Sequence, residues 1–405
     1  MIVKDEQKVL SRCLDCVKEF ADEIIIVDTG SVDDTIAIAK KYTDKVFEFV
    51  WCDDFAKARN FSFDKASCDY LMWIDADDIV EQDSIKKLQQ LKNELNIHYI
   101  VDEIKHIPNQ IDNSKSTSID KKKNSIKNST QAKEKANNIP TILSTDMVVC
   151  RYHLGFDQND NPTFYSSRER IVRRLSGYRW NGAVHECIPI AGNVLYREDI
   201  SIRHKNEHKD WYKSNLRNIR IYETLLNTNG FLDARGLYYY SRELRDGGRY
   251  IEAIFYLKQF LDGKKGWNED NIGACLIIAE IYRDRLKDIN QAMQNALQTM
   301  RYDALRAETA CFLGKCCQLK NDYATATDWY LLATQIKPKG MGFINKDYNE
   351  YIPQIELAVC YDKLGDHSKA NEYNEKAGKI KPESQAYIQN KHYFSQLKKE
   401  NKCKD

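Results

Sequence analysis

Beyond about residue 211 the sequence repeats itself, and no other feature limits the fold of the second half so tightly. Pro338 and Pro382 each close a helical pair. Counting back from Pro338 meets Leu313, Gly314, Tyr323, Ala326, Tyr330 and Ala333, and the same offsets from Pro382 meet Leu357, Ala358, His367, Ala370, Asn374 and Ala377. A third copy anchored on Ala253 has Tyr240, Ser241, Gly248, Tyr250 and Leu257, and a looser one surrounds Ala292. Ala253 to Ala326 is 73 residues, and Ala326 to Ala370 is 44. These are close to two units of about 34 and to one unit plus about ten. The extra ten fit the Gly-containing stretch Lys339–Tyr348.

This is the tetratricopeptide period: paired helices with small residues where they cross and aromatics filling the gaps. Each unit buries its face only against a neighbour, so the units stack into a curved solenoid with a groove. The first hundred residues behave differently. Short β-branched or apolar runs at Ile24–Val27, Val46–Val50 and Tyr70–Ile74 alternate with amphipathic stretches at Gln7–Phe20, Asp33–Tyr42 and Asp54–Ala66. That alternation implies βαβ units and a parallel sheet. The first strand has room only for Met1–Val3, which leads to the expectation that the true start lies upstream. MVVCRYHLGFD, a turn at Gln158–Pro162 and FYSSRERIVRR read as an antiparallel hairpin, followed by short strands at Val194–Tyr196 and Ile200–His204. The expected fold class is α/β, a Rossmann-like and mostly parallel N-terminal domain before an all-α repeat solenoid. The expected divisions are an N-terminal domain over 1–208, a helical linker over 209–230, repeats over 231–390 and a tail over 391–405. Residues 103–140, rich in Lys, Asn and Ser, read as a flexible polar insertion that buries too little apolar surface to order itself.

Composition narrows the partners. Lys+Arg number 61 against 60 Asp+Glu, so the basic excess that marks a nucleic-acid binder is missing. The longest apolar runs are about six residues, such as Ala274–Ala279, far short of the ~18 of a membrane span. MIVKDEQKVL has acids at its fifth and sixth positions and no apolar core, so no secretory signal is read there. Twelve cysteines in 405 residues are too sparse for a disulfide scaffold, and Cys13-x-x-Cys16 has no matching pair for zinc. The expectation is reduced thiols in a cytoplasmic protein.

The chemistry concentrates at strand ends. YLMWIDADD, residues 70–78, delivers Asp75, Asp77 and Asp78 at the C-terminal end of an apolar strand, where open α/β sheets bind ligands. Carboxylates two residues apart can share one hard divalent cation, Mg2+ or Mn2+; a polar turn with an Asp cap is the plainer reading. IIIVDTGSVDDT puts Asp28 at another strand end, able to accept from a ribose or a base N–H, with Ser31 or Asp33 capping the next helix. Lys4-Asp5-Glu6 ends the first strand. In RERIVRR, Arg168 and Arg170 share a face and can bind phosphate as a pair, or serve as solvated edge charges.

Taken together and in order, MIVKDE, VDTGSVDDT, DDFAKARN, WIDADD and WNGAVHE resemble family 2 glycosyltransferases of the GT-A fold. The similar branch is bacterial and carries a C-terminal tetratricopeptide array; it includes peptide S-glycosyltransferases of the sublancin type. The resemblance implies a metal-dependent, inverting transfer of a hexosyl or N-acetylhexosaminyl group from a UDP-sugar. It implies that Glu6 and Asp28 hold the uridine, with Arg59 and Arg170 near the donor. Asp75 would contact the ribose or metal, and Asp77 and His204 would ligate Mn2+ or Mg2+. An inverting transferase needs a base for the acceptor's proton. Glu186 is the expected base and His185 places the acceptor or a phosphate; the opposite assignment stands beside it. The implied acceptor is a peptide or protein side chain held partly in the repeat groove, and a homodimer through the repeats is compatible with it. Two alternatives are a cell-surface glycan or lipid-linked acceptor, and an inactive transferase-like domain in a repeat adaptor.

Overall fold

The computed structural model describes residues 1–105, 144–205, 210–338, 340 and 342–402. Strands β1 (Ile2–Val3), β2 (Ile26–Asp28) and β3 (Val46–Glu48) form a parallel sheet in that order. Helices α1 (Leu10–Val17), α2 (Thr35–Ala39) and α3 (Phe55–Asp64) alternate with them and lead to β4 (Tyr70–Met72). The short strand β5 (Asp78–Ile79) and the long helix α4 (Gln82–Lys105) follow. The second sheet runs β4, β7 (Pro162–Arg173), β6 (Met147–Phe156), β8 (Val194–His204), β5.

The parallel pairing expected throughout holds in the first sheet and between β6 and β8; every other pair is antiparallel, so the domain is mixed. Adjacent runs joined by the tight turn at 157–161 can only return antiparallel, and the long β6–β7 hairpin sets the direction of what pairs with it. The two runs expected after it are one strand with an irregularity. Cys150 pairs with Arg197 and the next residue, Arg151, pairs with Ser201. Of the insertion expected over 103–140, residues 103–105 continue α4 and the remainder lies outside the described residues.

From Trp211 the described structure is helical apart from one two-residue strand. Helix α5 (Trp211–Asn229) precedes four antiparallel pairs: α6 (Ala234–Asp246) with α7 (Tyr250–Asp262), α8 (Asn268–Asp284) with α9 (Ile289–Leu297), α10 (Ala307–Leu319) with α11 (Tyr323–Gln335), and α12 (Tyr351–Lys363) with α13 (His367–Ile380). The repeat positions are its core. Leu313, Ala326, Ala333, Leu357, Ala358, Ala370 and Ala377 are fully buried, and Tyr330 is nearly so. A Cβ on Gly314 would come within 2.9 Å of the Tyr330 ring, so glycine stands where the two helices touch. Asp233, Asp288, Asp322 and Asp366 each cap a helix by accepting a backbone N–H three residues on.

The helical linker expected over 209–230 contains α5, whose Ile219, Ile221 and Tyr222 are buried in one cluster with Val184, Tyr240 and Leu244. It joins the halves by packing. The tail over 391–405 is largely α14 (Gln385–Lys402), because Tyr387 and Phe394 are buried, Tyr387 lying on the bare face of Gly378. The ten extra residues between repeats contain β9 (Ile344–Asn345), which pairs back onto β7 through Phe164 and Tyr165. Phe343 stacks on Phe164 at 5.6 Å. The repeat array is thereby joined to the N-terminal sheet at two places.

Candidate active site

Two segments far apart in sequence meet at α3. Asp54 caps the helix by accepting the Lys57 N–H at 2.9 Å. One turn on, Asn60 donates to the Trp180 carbonyl and accepts the Trp180 N–H, while the Phe55 N–H bonds the Ala183 carbonyl. The loop of residues 181–187 is closed by reciprocal Asn181–Cys187 backbone bonds and turns through left-handed Gly182 and His185. Its adjacent acidic and imidazole side chains consequently part. Glu186 faces α3, where Arg59 Nε donates to its Oε1 at 2.6 Å. His185 faces the repeats: its Nε2 lies 2.6 Å from Glu243 Oε1 and its ring stacks on Tyr239 at 4.5 Å.

Arg59 is the hinge of the acidic centre. Its second arm donates to Asp75 Oδ1 at 2.9 Å, and its guanidinium lies over the rings of Trp180 and Trp73. Burial alone would raise the Asp75 carboxyl. Arg59, with Arg170 and His204 behind it, outweighs burial and holds it well below the usual carboxylate range. Glu243 is likewise kept below its ordinary value: burial opposes this, but His185, Asn218 and Asn215 all bond it.

Asp77, Asp78 and His204 lie next, with one ligand atom from each within 4.8 Å of the others. Asp77 is 2% exposed and Asp78 fully buried. The Tyr152 hydroxyl, 2.9 Å from both Asp78 Oδ1 and His204 Nδ1, fixes that side of the imidazole. Nδ1 also faces the Asp77 and Asp78 carboxylates at 3.5 and 3.4 Å, so it is the nitrogen that lies in the cluster. Burial would lower the His204 pKa. The bond to Asp78 and the charges of Asp77, Asp78 and Asp75 overcome that and raise it. An imidazole whose proton is held by surrounding carboxylates marks a place where positive charge is welcome. The donor set, carboxylate and imidazole, fits Mn2+ or Mg2+.

Three of the expected site residues have partners that the sequence does not show. Arg170, taken as a donor-site residue, is fully buried; it donates to Asp78 Oδ2 at 3.1 Å and lies between the Trp73 and Tyr152 rings. It supports the acidic turn from behind, since an unpaired buried Asp78 charge would be untenable. Asp75, expected to contact the ribose or the metal, is bonded to Arg59, and Asp78 is the residue that lies in the cluster with Asp77 and His204. His185, expected to place the acceptor or a phosphate or to be the base, is bonded to Glu243 and stacked on Tyr239. Sequence reading missed Tyr152, Trp73 and Glu243 altogether; their aromatic or helical setting carries no local mark.

At the β2 end, Asp28 is 3% exposed. Its Oδ2 accepts the Gly30 and Ser31 N–H groups at 2.9 and 3.0 Å, and its buried Oδ1 accepts none among the described residues. Gly30 has φ +101° and open space above it. A buried carboxylate oxygen without a donor fits the expected base or ribose contact. Glu6 lies at the start of the turn into α1, its N–H donating to the Thr35 hydroxyl at 2.7 Å.

Residues 1–155 match the family model of Glycosyl transferase family 2. The SPbeta prophage-derived glycosyltransferase SunS of Bacillus subtilis is 24% identical over 70% of this chain and 58% of its own length. A TPR repeat-containing protein of Synechococcus elongatus is 46% identical over 78 residues, 19% of each chain. The chain thus spans between a fifth and about three fifths of these relatives. A crystal structure of MamA protein resembles 42% of this chain and 83% of that one at 16% identity, with a TM-score of 0.33. The N-terminal part of the chain is thus similar to glycosyl transferase family 2, and an array of paired helices with the tetratricopeptide period follows it.

Proposed function

We propose that this protein is a metal-dependent, inverting glycosyltransferase that moves a sugar from a UDP-sugar to a peptide or protein side chain. The observation that carries the reading is the Asp77–Asp78–His204 cluster next to the Arg59–Glu186–Asp75 triplet, with Asp28, whose Oδ1 has no partner among the described residues, at the end of β2. In it, Asp28 and Glu6 take the uridine. Asp77, Asp78 and His204 would hold Mn2+ or Mg2+, which would supply positive charge for a leaving diphosphate.

Glu186 is the base. His185 is occupied by Glu243 and Tyr239, whereas Glu186 shares Arg59 with the strand-end Asp75. Arg59 orients Glu186 at rest, and its two carboxylate partners keep the guanidinium from neutralising either one alone. Residues 1–208 form the donor-binding unit in this reading, with the acceptor entering between that unit and the repeats.

The test is UDP release from a panel of UDP-sugars with Mn2+, with and without chelator. Release that stops with chelator and in Asp77→Ala supports the reading. An intact chain that releases no UDP from any donor is the repeat adaptor instead.

A further inference from the structure

A cavity of about 780 Å³ lies between the second sheet and the concave side of the repeats. Its volume is within the roughly 300–1,000 Å³ of ligand sites. Its floor is an interrupted sheet edge. Strand β7 is covered by β6 along one side. On the other, β4 pairs with Ile171–Arg173 and β9 with Phe164 and Tyr165. The Trp73 N–H and indole N–H occupy the carbonyls of Arg170 and Glu169. Between these lie Ser166, Ser167 and Arg168, which line the cavity and which no described strand pairs on that side.

Such an edge is a template for one more strand. The protein already uses it so: β9 is a two-residue piece of the repeat half added to the same edge, and β4 is another. Both run antiparallel to β7, so a guest between them continues their line. A second observation points to a ligand with N–H groups. Asp270, 8% exposed, lines the cavity and makes no hydrogen bond among the described residues. Opposite in charge, Arg242 lies against the rings of Tyr238, Tyr239 and Phe343 without an ion pair among them. A polypeptide backbone offers both the donors and the carbonyls that these groups need. The cavity also borders neighbours of the acidic site. Cys187, next to Glu186, is in its wall, and Trp73 at the upper end of the gap touches Arg59.

We propose that the acceptor is an extended polypeptide segment that binds as an added strand on Ser166–Arg168, antiparallel to β7 and in line with β4 and β9. Main-chain bonds give the affinity, and alternate side chains face the repeat groove or the sheet. This rests on the sugar-transfer reading above.

The probe is a library of short synthetic peptides, each with one Ser, Thr or Cys, incubated with the full chain, Mn2+ and the UDP-sugar that the donor panel selects. The best-modified peptide is remade with single N-methyl amides. Methylation at alternate residues of one short stretch is expected to lower transfer about tenfold each while the residues between tolerate it. Donor hydrolysis stays unchanged, and amide exchange at residues 164–170 slows when the peptide is added. Tolerance at every position, or unchanged exchange there, overturns the proposal. UDP release with no peptide modified overturns it too and leaves the transferase reading standing. No UDP release removes that reading and this inference with it.

Discussion

The two halves of the chain are held together by different means. In the repeats, stability comes from fixed offsets: the same small or aliphatic residue recurs at full burial, and each pair leans on the next. The N-terminal half has strands of two or three residues at β1–β5 and depends on single interactions across long separations. Arg170 and Asp78 are 92 residues apart and both fully buried. Trp180 and Asn60 are 120 apart. The repeats therefore spread their energy, whereas the acidic site concentrates it, and a functional centre that must hold several carboxylates together cannot do otherwise.

The sharpest way to break that contrast is at the Asp77–Asp78–His204 cluster. Asp77→Ala should lower donor turnover about 10³-fold, the order that one charge-stabilising group is worth, with the thermal transition little changed. Equal rates with and without the substitution would remove the cluster from the chemistry. Next in size, Arg170→Met should cost about 3–5 kcal/mol, because it takes from the buried Asp78 carboxylate its fully buried guanidinium partner. Denaturant unfolding measures it, and Arg170→Met with Asp78→Leu should recover most of the loss. A single change in the repeats is smaller. Gly314→Ala presses on the Tyr330 ring and should cost about 1–3 kcal/mol by the same measurement.

Asp270 should move stability the other way. Burial pushes its carboxyl up to about 6 against Arg235 and Arg242, which lower it, with Glu269 adding to the rise. A carboxyl raised on folding is most compatible with the fold below its unfolded pKa near 3.8, and the fold loses stability as pH climbs from there to about 6. Asp270→Asn should hence stabilise by about 2 kcal/mol at pH 7 and by little at pH 4, read as the difference between the two thermal transitions. A shift equal at both pH values would place the effect elsewhere. The smallest expected effect is at the insertion. Deleting 113–137 should leave donor hydrolysis unchanged, since that stretch has few residues able to join a core.

A division of labour along the chain is also sharpened. Truncation near Asn229 looks tolerable from sequence, because the acidic motifs all precede it. The structure places Val184 in one core with Tyr240 and Leu244, and fixes His185 through Glu243. Such a truncation strips the support from the loop that presents Glu186, so hydrolysis should fall with transfer rather than survive it.

Periodicity and strand ends carry the parts of this protein that its sequence determines alone. The repeat register is legible because each unit restates the same crossing contacts, and the acids of residues 75–78 and 28 are legible because a strand's C-terminal end is where such a sheet binds. What the tertiary structure decided is which of those charges are free. Nothing local distinguishes Arg170 from Arg168, yet one is enclosed with Asp78 and the other borders a cavity. His185 and Glu186 are neighbours whose roles diverge only through a left-handed turn and the helices on either side. The two residues of β9 have too little pattern to announce a strand; they become one because the edge of β7 is there to receive them. Hydrophobic period is written between residues a few positions apart, whereas ion pairing, burial and sheet edges depend on partners tens of residues away, which only the folded chain brings together.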